Sequence, residues 1–266
     1  LVTIMMLSVL STLLMATVTV SANTVVVTEA IQVVDGGTAA DQQAAVGSDS
    51  EGNVHIVWTR NNLHLYYSMI SPRGDTLIDT TQITNPGLHK IWHPDMVIDE
   101  MDRVHIVWTD KASQHKIVYT VLNPWAAPMD GSVSDDGTLS AIDDHVVSMR
   151  AQNRDWPSID LDSQGNAHIV WEDSYDELQR FFNQPQIYYT MLQPDVSTGS
   201  VVTLFDDTLL TPIIGHKGHP DVVVDANDYV QIAWDDTRGG KVELAFIVDT
   251  SGSMYSEWAD ICTVVY

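Results

Sequence analysis

Histidine recurs at one position of this chain, three residues before a tryptophan, as His55, His105 and His168. Imidazole is a common zinc ligand, but zinc needs several ligands about 2.0–2.3 Å from one point. Side chains that occur once per repeat lie on separate units and do not converge in this way. A fourth copy carries Gln231 instead. The sequence therefore predicts packed, hydrogen-bonded structural histidines and no zinc site.

Paired aspartates are the next groups that could bind Ca²⁺ or act as acid and base. The pairs are Asp143-Asp144, Asp206-Asp207 and Asp235-Asp236. Adjacent side chains on a strand point to opposite faces of a sheet, so one pair cannot close around one ion. We predict that these residues are solvated turn residues.

Enzyme motifs are not recognisable in the sequence. Glycosidases need two carboxylates that flank the bond, and a sialidase would add a tyrosine nucleophile and an arginine cluster. Arg60 replaces an aspartate that the other repeats carry as Asp110, Asp173 and Asp236. The remaining arginines occupy non-equivalent positions, and no phosphate loop, Cys/His zinc spacing or nucleophile elbow is present. The sequence therefore predicts no catalytic residues.

The residues above belong to a unit that occurs four times, at 43–60, 93–110, 156–173 and 219–236, aligned without a gap. An aspartate lies nine residues before each of the repeated tryptophans; these pairs are Asp49/Trp58, Asp99/Trp108, Asp162/Trp171 and Asp225/Trp234. Self-similarity at a fixed period is the signature of repeat architectures. The tryptophans are predicted to pack between units, with an exposed row for sugar stacking as the alternative.

Each unit has the pattern of a β-hairpin, an apolar run, a polar turn and a β-branched run. A third strand is predicted at 65–69, 116–120 and 186–190, and a fourth at 78–84, 142–148 and 205–211. Four antiparallel strands per period are the design of a β-propeller blade. An additional outer strand is predicted at 24–34.

The pattern of proline, apolar run, Asp, turn and His-Ile-Val-Trp resembles the blades of sialidase-like surface propellers. The resemblance covers residues 23–240, which is most of the chain, and implies a mainly β fold of four-stranded propeller blades. It says little about activity, because such blades carry many functions.

Residues 242–254, VELAFIVDTSGSM, closely resemble the opening of a von Willebrand factor A (VWA) domain. In that family the Asp-x-Ser-x-Ser loop belongs to a metal-ion-dependent adhesion site. The resemblance implies that Asp249, Ser251 and Ser253 are ligands of Mg²⁺ or Ca²⁺, which prefer oxygen ligands. The family's later ligands are absent, so residues 241–266 are expected to be the first strand and helix of a truncated VWA domain. The alternative is that 242–248 form the third strand of the fourth blade, followed by a turn.

Composition limits the partners and the compartment. The net charge of -24 disfavours nucleic acid and anionic membranes as partners. Residues 1–22 are apolar and end Val20-Ser21-Ala22, which predicts a cleaved signal peptide, with an uncleaved membrane anchor as the alternative. The single cysteine, Cys262, permits no internal disulfide.

These observations favour an exported cell-surface or extracellular protein that binds a protein or glycan ligand through a cation-dependent VWA site and is not an enzyme. The alternatives are a glycan-cleaving propeller enzyme and a purely structural envelope protein.

Overall fold

The computed structural model describes residues 30–34, 37–84, 90–112, 115–126, 139–148, 154–173, 184–211, 215–236 and, by their backbone, 241–247. The chain divides into two units, Leu1–Gln32 and Val33–Tyr266. Residues 30–32 of the first unit have no regular secondary structure. The account below concerns the second unit.

The second unit consists of antiparallel sheets whose strands follow one another in chain order. Sheet 1 contains β1 (Asp41–Ser48), β2 (Val54–Arg60), β3 (His64–Ile70) and β4 (Thr76–Gln82). Sheet 2 contains β5 (Ile91–Ile98), β6 (Val104–Asp110), β7 (Lys116–Leu122) and β8 (Ser140–Ser148). Sheet 3 contains β9 (Arg154–Leu161), β10 (Ala167–Asp173), β11 (Gln186–Asp195) and β12 (Ser200–Leu209). Sheet 4 contains β13 (Lys217–Val224), β14 (Val230–Asp236) and β15 (Lys241–Ile247), and a short 3-10 turn spans Pro124–Ala126.

The repeated aspartate closes the first hairpin of each sheet. The Oδ1 atom of Asp49 accepts hydrogen bonds from the backbone N–H groups of Glu51 (3.0 Å) and Asn53 (2.8 Å). The same two bonds recur at Asp99, Asp162 and Asp225. A carboxylate that satisfies two turn amides is a local device that favours aspartate over most other residues. The repeat seen in the sequence therefore corresponds to a turn of the same kind that occurs once in each sheet.

The first strand of each sheet is the innermost strand of the array, because β1 contacts β5, β5 contacts β9, and β9 contacts β13. Apolar side chains fill the space between successive sheets. One cluster joins sheets 1 and 2, a second joins sheets 2 and 3, and a third joins sheets 3 and 4. This arrangement confirms the prediction of a mainly β, propeller-like array of four-stranded antiparallel repeats.

The structure differs from the sequence-based expectation near the first repeat. Residues 30–34, which belong to the predicted outer strand at 24–34, have no regular secondary structure, and the rest of that segment lies outside the described residues. The predicted signal segment 1–22 also lies outside them. No helix in the described ranges is long and apolar enough to cross a membrane.

The segment Lys241–Ile247 is the third strand of sheet 4 and pairs antiparallel with β14 along its length. This is the place that the repeat assigns to a third strand. Residues 248–266 lie outside the described residues. The division of the chain at 240/241 and the VWA assignment of 241–266 therefore stay predictions.

Candidate functional site

The recurring histidines are structural, as predicted. His105 is buried, its Nδ1 lies 2.7 Å from the Tyr119 hydroxyl, and its Nε2 lies 3.2 Å from Asp99 Oδ2. His55 and His168 repeat this contact pattern. Burial lowers the pKa of His105 and outweighs the opposing hydrogen bond to Asp99. A neutral ring can donate from Nε2 to the carboxylate and accept the tyrosine O–H at Nδ1, so every polar atom is satisfied.

Sheet 4 replaces two members of this Asp–His–Tyr arrangement together. Gln231 takes the histidine position, and the register of β14 with β15 places Leu244 where the other sheets carry tyrosine. Asp225 retains its turn hydrogen bonds. The joint loss indicates that histidine and tyrosine act as a pair, which agrees with a structural role.

The repeated tryptophans are buried and do not form an exposed row. Trp58, Trp108, Trp171 and Trp234 are only 4%, 2%, 0% and 2% exposed, and they lie on the second strands of the four sheets. Trp108, Trp171 and Trp234 belong to the apolar clusters that join successive sheets. The equivalent placement predicted from the sequence is therefore confirmed for all four tryptophans, and the packing role for these three.

The prediction for the aspartate pairs is wrong. All three pairs lie within strands β8, β12 and β14 and not in turns. Asp207 accepts a hydrogen bond from Ser148 of the neighbouring sheet (2.8 Å). Asp236 forms a buried ion pair with Lys217 (2.8 Å). Both contacts join residues on different strands, so they could not be recognised from the residues next to each aspartate pair.

Arg60 stands where the other repeats carry aspartate, and the ion pairs of the strands explain this exchange. Asp173 forms a buried ion pair with Arg154 (3.1 Å), which lies opposite it on the first strand of sheet 3. In sheet 1 the two charges are exchanged, because Arg60 Nε lies 2.7 Å from Asp41 Oδ1. The arginine therefore belongs to a repeated ion pair and not to a substrate-binding cluster.

The predicted metal ligands Asp249, Ser251 and Ser253 lie outside the described residues. Within the described ranges, no group of three or more His, Cys, Asp or Glu side chains is arranged to hold a metal ion.

A row of varied residues lies at one position of the innermost strands. Gln43, His93, Trp156 and His219 are equivalent in the repeat, and all four have positive φ, at 53°, 49°, 50° and 47°. The pairing register shifts beside each of them, as expected for a β-bulge. Left-handed backbone is uncommon for residues other than glycine and often marks functional sites. Residues that recur unchanged in every repeat stabilise the blades, whereas this position carries Gln, His, Trp and His in the four repeats.

Three of these side chains are in contact. The rings of His93 and Trp156 are stacked, with centroids 3.6 Å apart and planes inclined by 15°. The ring of His219 meets Trp156 edge-on at 4.6 Å. A cavity of about 390 Å³ adjoins His93 and Trp156, and Gln43, Asp95 and Asp221 are among its other lining residues. The Trp156 side chain is 39% exposed, and a partly exposed aromatic ring beside polar groups is suited to binding a sugar ring.

Asp155 anchors the row from one side. Its Oδ1 lies 2.7 Å from His93 Nδ1, and its Oδ2 accepts a hydrogen bond from Lys111. Burial alone would raise the pKa of Asp155, but the hydrogen bonds from His93 and Lys111 outweigh burial and lower it. The carboxylate is therefore ionised over a wide pH range.

Glu172 has the opposite electrostatic environment. It lies directly across from Asp155 in the pairing of β10 with β9. Burial is the main cause of a raised pKa at Glu172; the backbone N–H of His219 (3.2 Å from Oε2) opposes the shift and the charge of Asp155 adds to it. Burial therefore favours the protonated form of Glu172, as it also does at Asp95.

Asp235 is a second carboxylate beside Glu172. A Cβ atom on Gly218 would lie 2.8 Å from Glu172 Oε2 and 3.0 Å from Asp235 Oδ1, so both oxygens occupy the space that this glycine leaves. The two oxygens are therefore at most about 6 Å apart, an upper limit that includes the separation of about 5–5.5 Å found between the carboxyl groups of retaining glycosidases. Asp235 Oδ2 lies 3.0 Å from His219 Nδ1, whereas Oδ1 is buried and has no hydrogen-bond partner among the described residues.

Sequence reasoning missed this group. Glu172 and Asp235 are equivalent in the repeat, but Thr59 and Thr109 occupy the same position in the first two copies. The sequence does show that two positions vary among otherwise similar repeats. One is the position of Glu172, and the other is the residue before the repeated proline.

No protein-family model and no curated protein matches the chain. Among solved structures, it is similar to a Hadza microbial sialidase, with TM-score 0.52 and 10% identity over 79% of this chain and 45% of the sialidase. An endo-arabinase from Bacteroides thetaiotaomicron has TM-score 0.48 and 14% identity over 78% of this chain and 75% of that chain. A polysaccharide lyase described as an ulvan lyase has TM-score 0.47 and 11% identity over 79% of this chain and 56% of that chain. At these identities the likeness concerns the fold alone, and the sialidase, of which this chain spans less than half, supports the propeller-like assignment.

Proposed function

We propose that the protein cleaves glycans at the row formed by His93, Trp156 and His219. The observation that carries the proposal is the pair of opposed carboxyl groups beside this row. The pKa of Glu172 is raised by burial, and the pKa of Asp155 is lowered by His93 and Lys111. Titratable neighbours whose environments drive their pKa values apart are typical of acid–base sites.

Each side chain has a role in the proposed reaction. Glu172 donates a proton to the oxygen of the leaving sugar, which requires a carboxylic acid that is protonated near neutral pH. Asp235 supplies the second carboxylate, whose Oδ1 faces the same gap and has no hydrogen-bond partner among the described residues. This carboxylate attacks the anomeric carbon as the bond to the leaving sugar breaks, and water then hydrolyses the glycosyl–enzyme bond and gives its proton to Glu172. The exposed part of the Trp156 ring contacts a sugar, and Asp155 positions His93 against that ring.

The glycan-cleaving function has more support than cation-dependent adhesion. Adhesion rests on Asp249, Ser251 and Ser253, outside the described residues, whereas the carboxyl groups of Asp155, Glu172 and Asp235 lie within two described sheets. The similar structures include proteins named for action on glycans, which agrees with a glycan ligand. Export to the cell surface, predicted from residues 1–22, is part of this proposal, because extended glycans are found there.

The test is cleavage of a panel of neutral and acidic polysaccharides, followed by the release of reducing ends. Glu172→Gln keeps the shape of the side chain and removes the titrating proton, so we expect turnover to fall about 100-fold or more while glycan binding persists. In the wild-type protein, activity should decline as the pH rises through the raised pKa of Glu172. Wild-type levels of cleavage by Glu172→Gln, or the absence of any cleavage by the wild type, would contradict the proposal.

A further inference from the structure

His219 contacts three members of the proposed catalytic group at once. Its backbone N–H donates to Glu172 Oε2 (3.2 Å), its Nδ1 lies 3.0 Å from Asp235 Oδ2, and its ring meets Trp156 edge-on at 4.6 Å. Glu172 and Trp156 belong to sheet 3, whereas His219 and Asp235 belong to sheet 4. One residue therefore fixes groups on both of these sheets.

The backbone conformation of His219 explains how it reaches both carboxyl groups. Its φ is 47°, and the pairing register shifts between Gly218 and Asp221, which marks a β-bulge. A bulge aims a side chain in a direction that a regular strand does not allow. The N–H of His219 thereby lies toward the preceding sheet, and its side chain lies toward the second strand of its own sheet. Since the bulge recurs in all four sheets, the architecture supplies it.

The equivalent residue of sheet 2 makes different contacts. The backbone N–H of His93 also donates to a side chain of the preceding sheet (3.0 Å). Its Nδ1, however, lies 2.7 Å from Asp155 of the following sheet, and Thr109 occupies the position that Asp235 has in sheet 4. The contact of His219 with a carboxylate of its own sheet is therefore a property of this site and not of the repeat.

The contact of His219 with Asp235 distinguishes the two oxygens of the carboxylate. A carboxylate can only accept hydrogen bonds, so Nδ1 carries the hydrogen. The bond engages Oδ2 and leaves Oδ1, the oxygen beside Gly218, without a hydrogen-bond partner among the described residues. The two side chains are 55% and 49% exposed, and ion pairs in contact with water contribute little to stability. Folding alone therefore gives little reason for this contact.

We infer that His219 is the positioning residue for both carboxyl groups, an inference that rests on the proposed function. Its imidazole holds Asp235 so that Oδ1 forms the bond to the anomeric carbon while the bond to the leaving oxygen breaks. Its backbone N–H engages Oε2 of Glu172, so the acid carries its proton on Oε1 and transfers it from there to the leaving oxygen. Donors that are fixed before the reaction reduce the reorganisation needed in the transition state.

The first experiment separates the side chain of His219 from its backbone. His219→Ala removes the donor to Asp235 but keeps the N–H to Glu172, and we expect kcat to fall about 100-fold. His219→Asn should recover most of this loss, because its amide nitrogen can replace Nδ1 and asparagine tolerates left-handed backbone. The substrate is the polysaccharide that the wild type cleaves fastest, and thermal melting shows that the variants are folded.

His93→Ala is the matched comparison, since it removes the same side chain from the equivalent bulge. It leaves the contacts of Asp235 in place and removes the ring that is stacked on Trp156 at 3.6 Å. We therefore expect His93→Ala mainly to raise KM, whereas His219→Ala should mainly lower kcat. The same changes in KM and kcat for both variants would contradict the role assigned to His219.

An activated substrate distinguishes the two carboxyl groups. The probe is the 2,4-dinitrophenyl glycoside of the oligosaccharide that the wild type releases. Dinitrophenol leaves without a proton from an acid, so Glu172→Gln should release it in the first turnover about as fast as the wild type. His219→Ala should remain slow with this probe, because Asp235 must attack whichever group leaves. Rapid release by His219→Ala would overturn the inference.

Asp235→Asn shows whether a failure concerns His219 alone or the proposed function. If Asp235→Asn is inactive and a folded His219→Ala cleaves like the wild type, the inference fails and the proposed function stands. A loss of kcat that His219→Asn does not recover would also overturn the inference. If Asp235→Asn and Glu172→Gln both cleave at the wild-type rate, or the wild type cleaves no glycan, the proposed function fails and the inference fails with it.

Discussion

Glu172 and Asp155 lie directly opposite each other on β10 and β9, and their carboxyl groups have pKa values shifted in opposite directions. Burial opposes ionisation at both positions, but only Asp155 receives hydrogen bonds from both a histidine and a lysine. The fixed negative charge of Asp155 then adds to the pKa rise at Glu172. The raised pKa of Glu172 therefore depends in part on the charge of Asp155.

Gly218→Ala should lower glycan cleavage without a large loss of stability. The new methyl group would press on Glu172 Oε2 and Asp235 Oδ1, and both atoms are ends of side chains that can move away. Displacement of reacting groups by about 1 Å can lower turnover about 100-fold. Parallel measurements of turnover and thermal unfolding separate the two effects. Unchanged turnover in a folded Gly218→Ala protein would show that the gap has no catalytic role.

Trp156→Ala should weaken glycan binding about fivefold, because loss of one aromatic contact is worth about 1 kcal/mol. Trp125→Ala is the matched control, since the two side chains are 39% and 38% exposed and Trp125 lies in the turn Pro124–Ala126, away from the row. Affinity measured by calorimetry with an oligosaccharide from a cleaved glycan should change in the first variant only. Equal effects of both substitutions would argue against a specific stacking position.

The repeat architecture could be predicted from the sequence because its causes are local. The Asp49 type of turn uses groups within four residues of one another, and alternation along each strand determines which side chains are buried. The histidine role was also predictable, because a ligand would not be replaced by Gln231 in one copy. Interactions that lie within one unit are needed by every unit, so the residues that form them recur at the same position in each repeat.

The candidate site could not be predicted, because it depends on differences between units and on contacts between sheets. Glu172 and Asp235 have no carboxylate counterpart in the first two copies, and an oxygen of each adjoins the space that Gly218 leaves. The stack of His93 on Trp156 joins residues from two sheets at bulges whose register shift the sequence does not reveal. The VWA assignment at Asp249 is of a different kind, since it rests on a motif alone and stays a prediction.

The exchanged ion pair of sheet 1 allows a test by charge reversal. Arg60→Asp should destabilise the protein because it places a second carboxylate against Asp41. The double variant Asp41→Arg/Arg60→Asp should recover about 1 kcal/mol or more relative to Arg60→Asp, since Arg154 and Asp173 hold the pair in that polarity. Part of the loss should remain, because Asp41 also accepts a hydrogen bond from Trp58 Nε1 (3.1 Å). Urea unfolding measures these differences, and a double variant no more stable than Arg60→Asp would contradict the pairing.

The Asp–His–Tyr arrangement predicts that stability falls between pH 7 and pH 5. Burial holds the pKa of His105 below its ordinary value of 6.5, so the unfolded chain binds a proton that the folded chain rejects. The resulting stability is complete above pH 6.5 and is lost as the pH falls. One such histidine can contribute at most about 2 kcal/mol between its ordinary pKa and pH 5, and His55, whose pKa is also lowered by burial, adds a second contribution.

His105→Gln/Tyr119→Leu copies the pair found in sheet 4 and should reduce the loss of unfolding free energy between pH 7 and pH 5. The variant should be less stable than the wild type at pH 7, because a buried aromatic ring is replaced by a smaller side chain. The expected signature is therefore a lower but flatter dependence of stability on pH. The pKa of Asp99 is lowered below its ordinary 3.8, so its contribution to stability is lost only below pH 3.8 and does not affect the change between pH 7 and pH 5.

His55→Gln/Tyr67→Leu should behave in the same way, as the equivalent pair in sheet 1. Urea unfolding at the two pH values supplies the measurement, and a pH dependence as steep as that of the wild type in both variants would show that the buried histidines do not cause it.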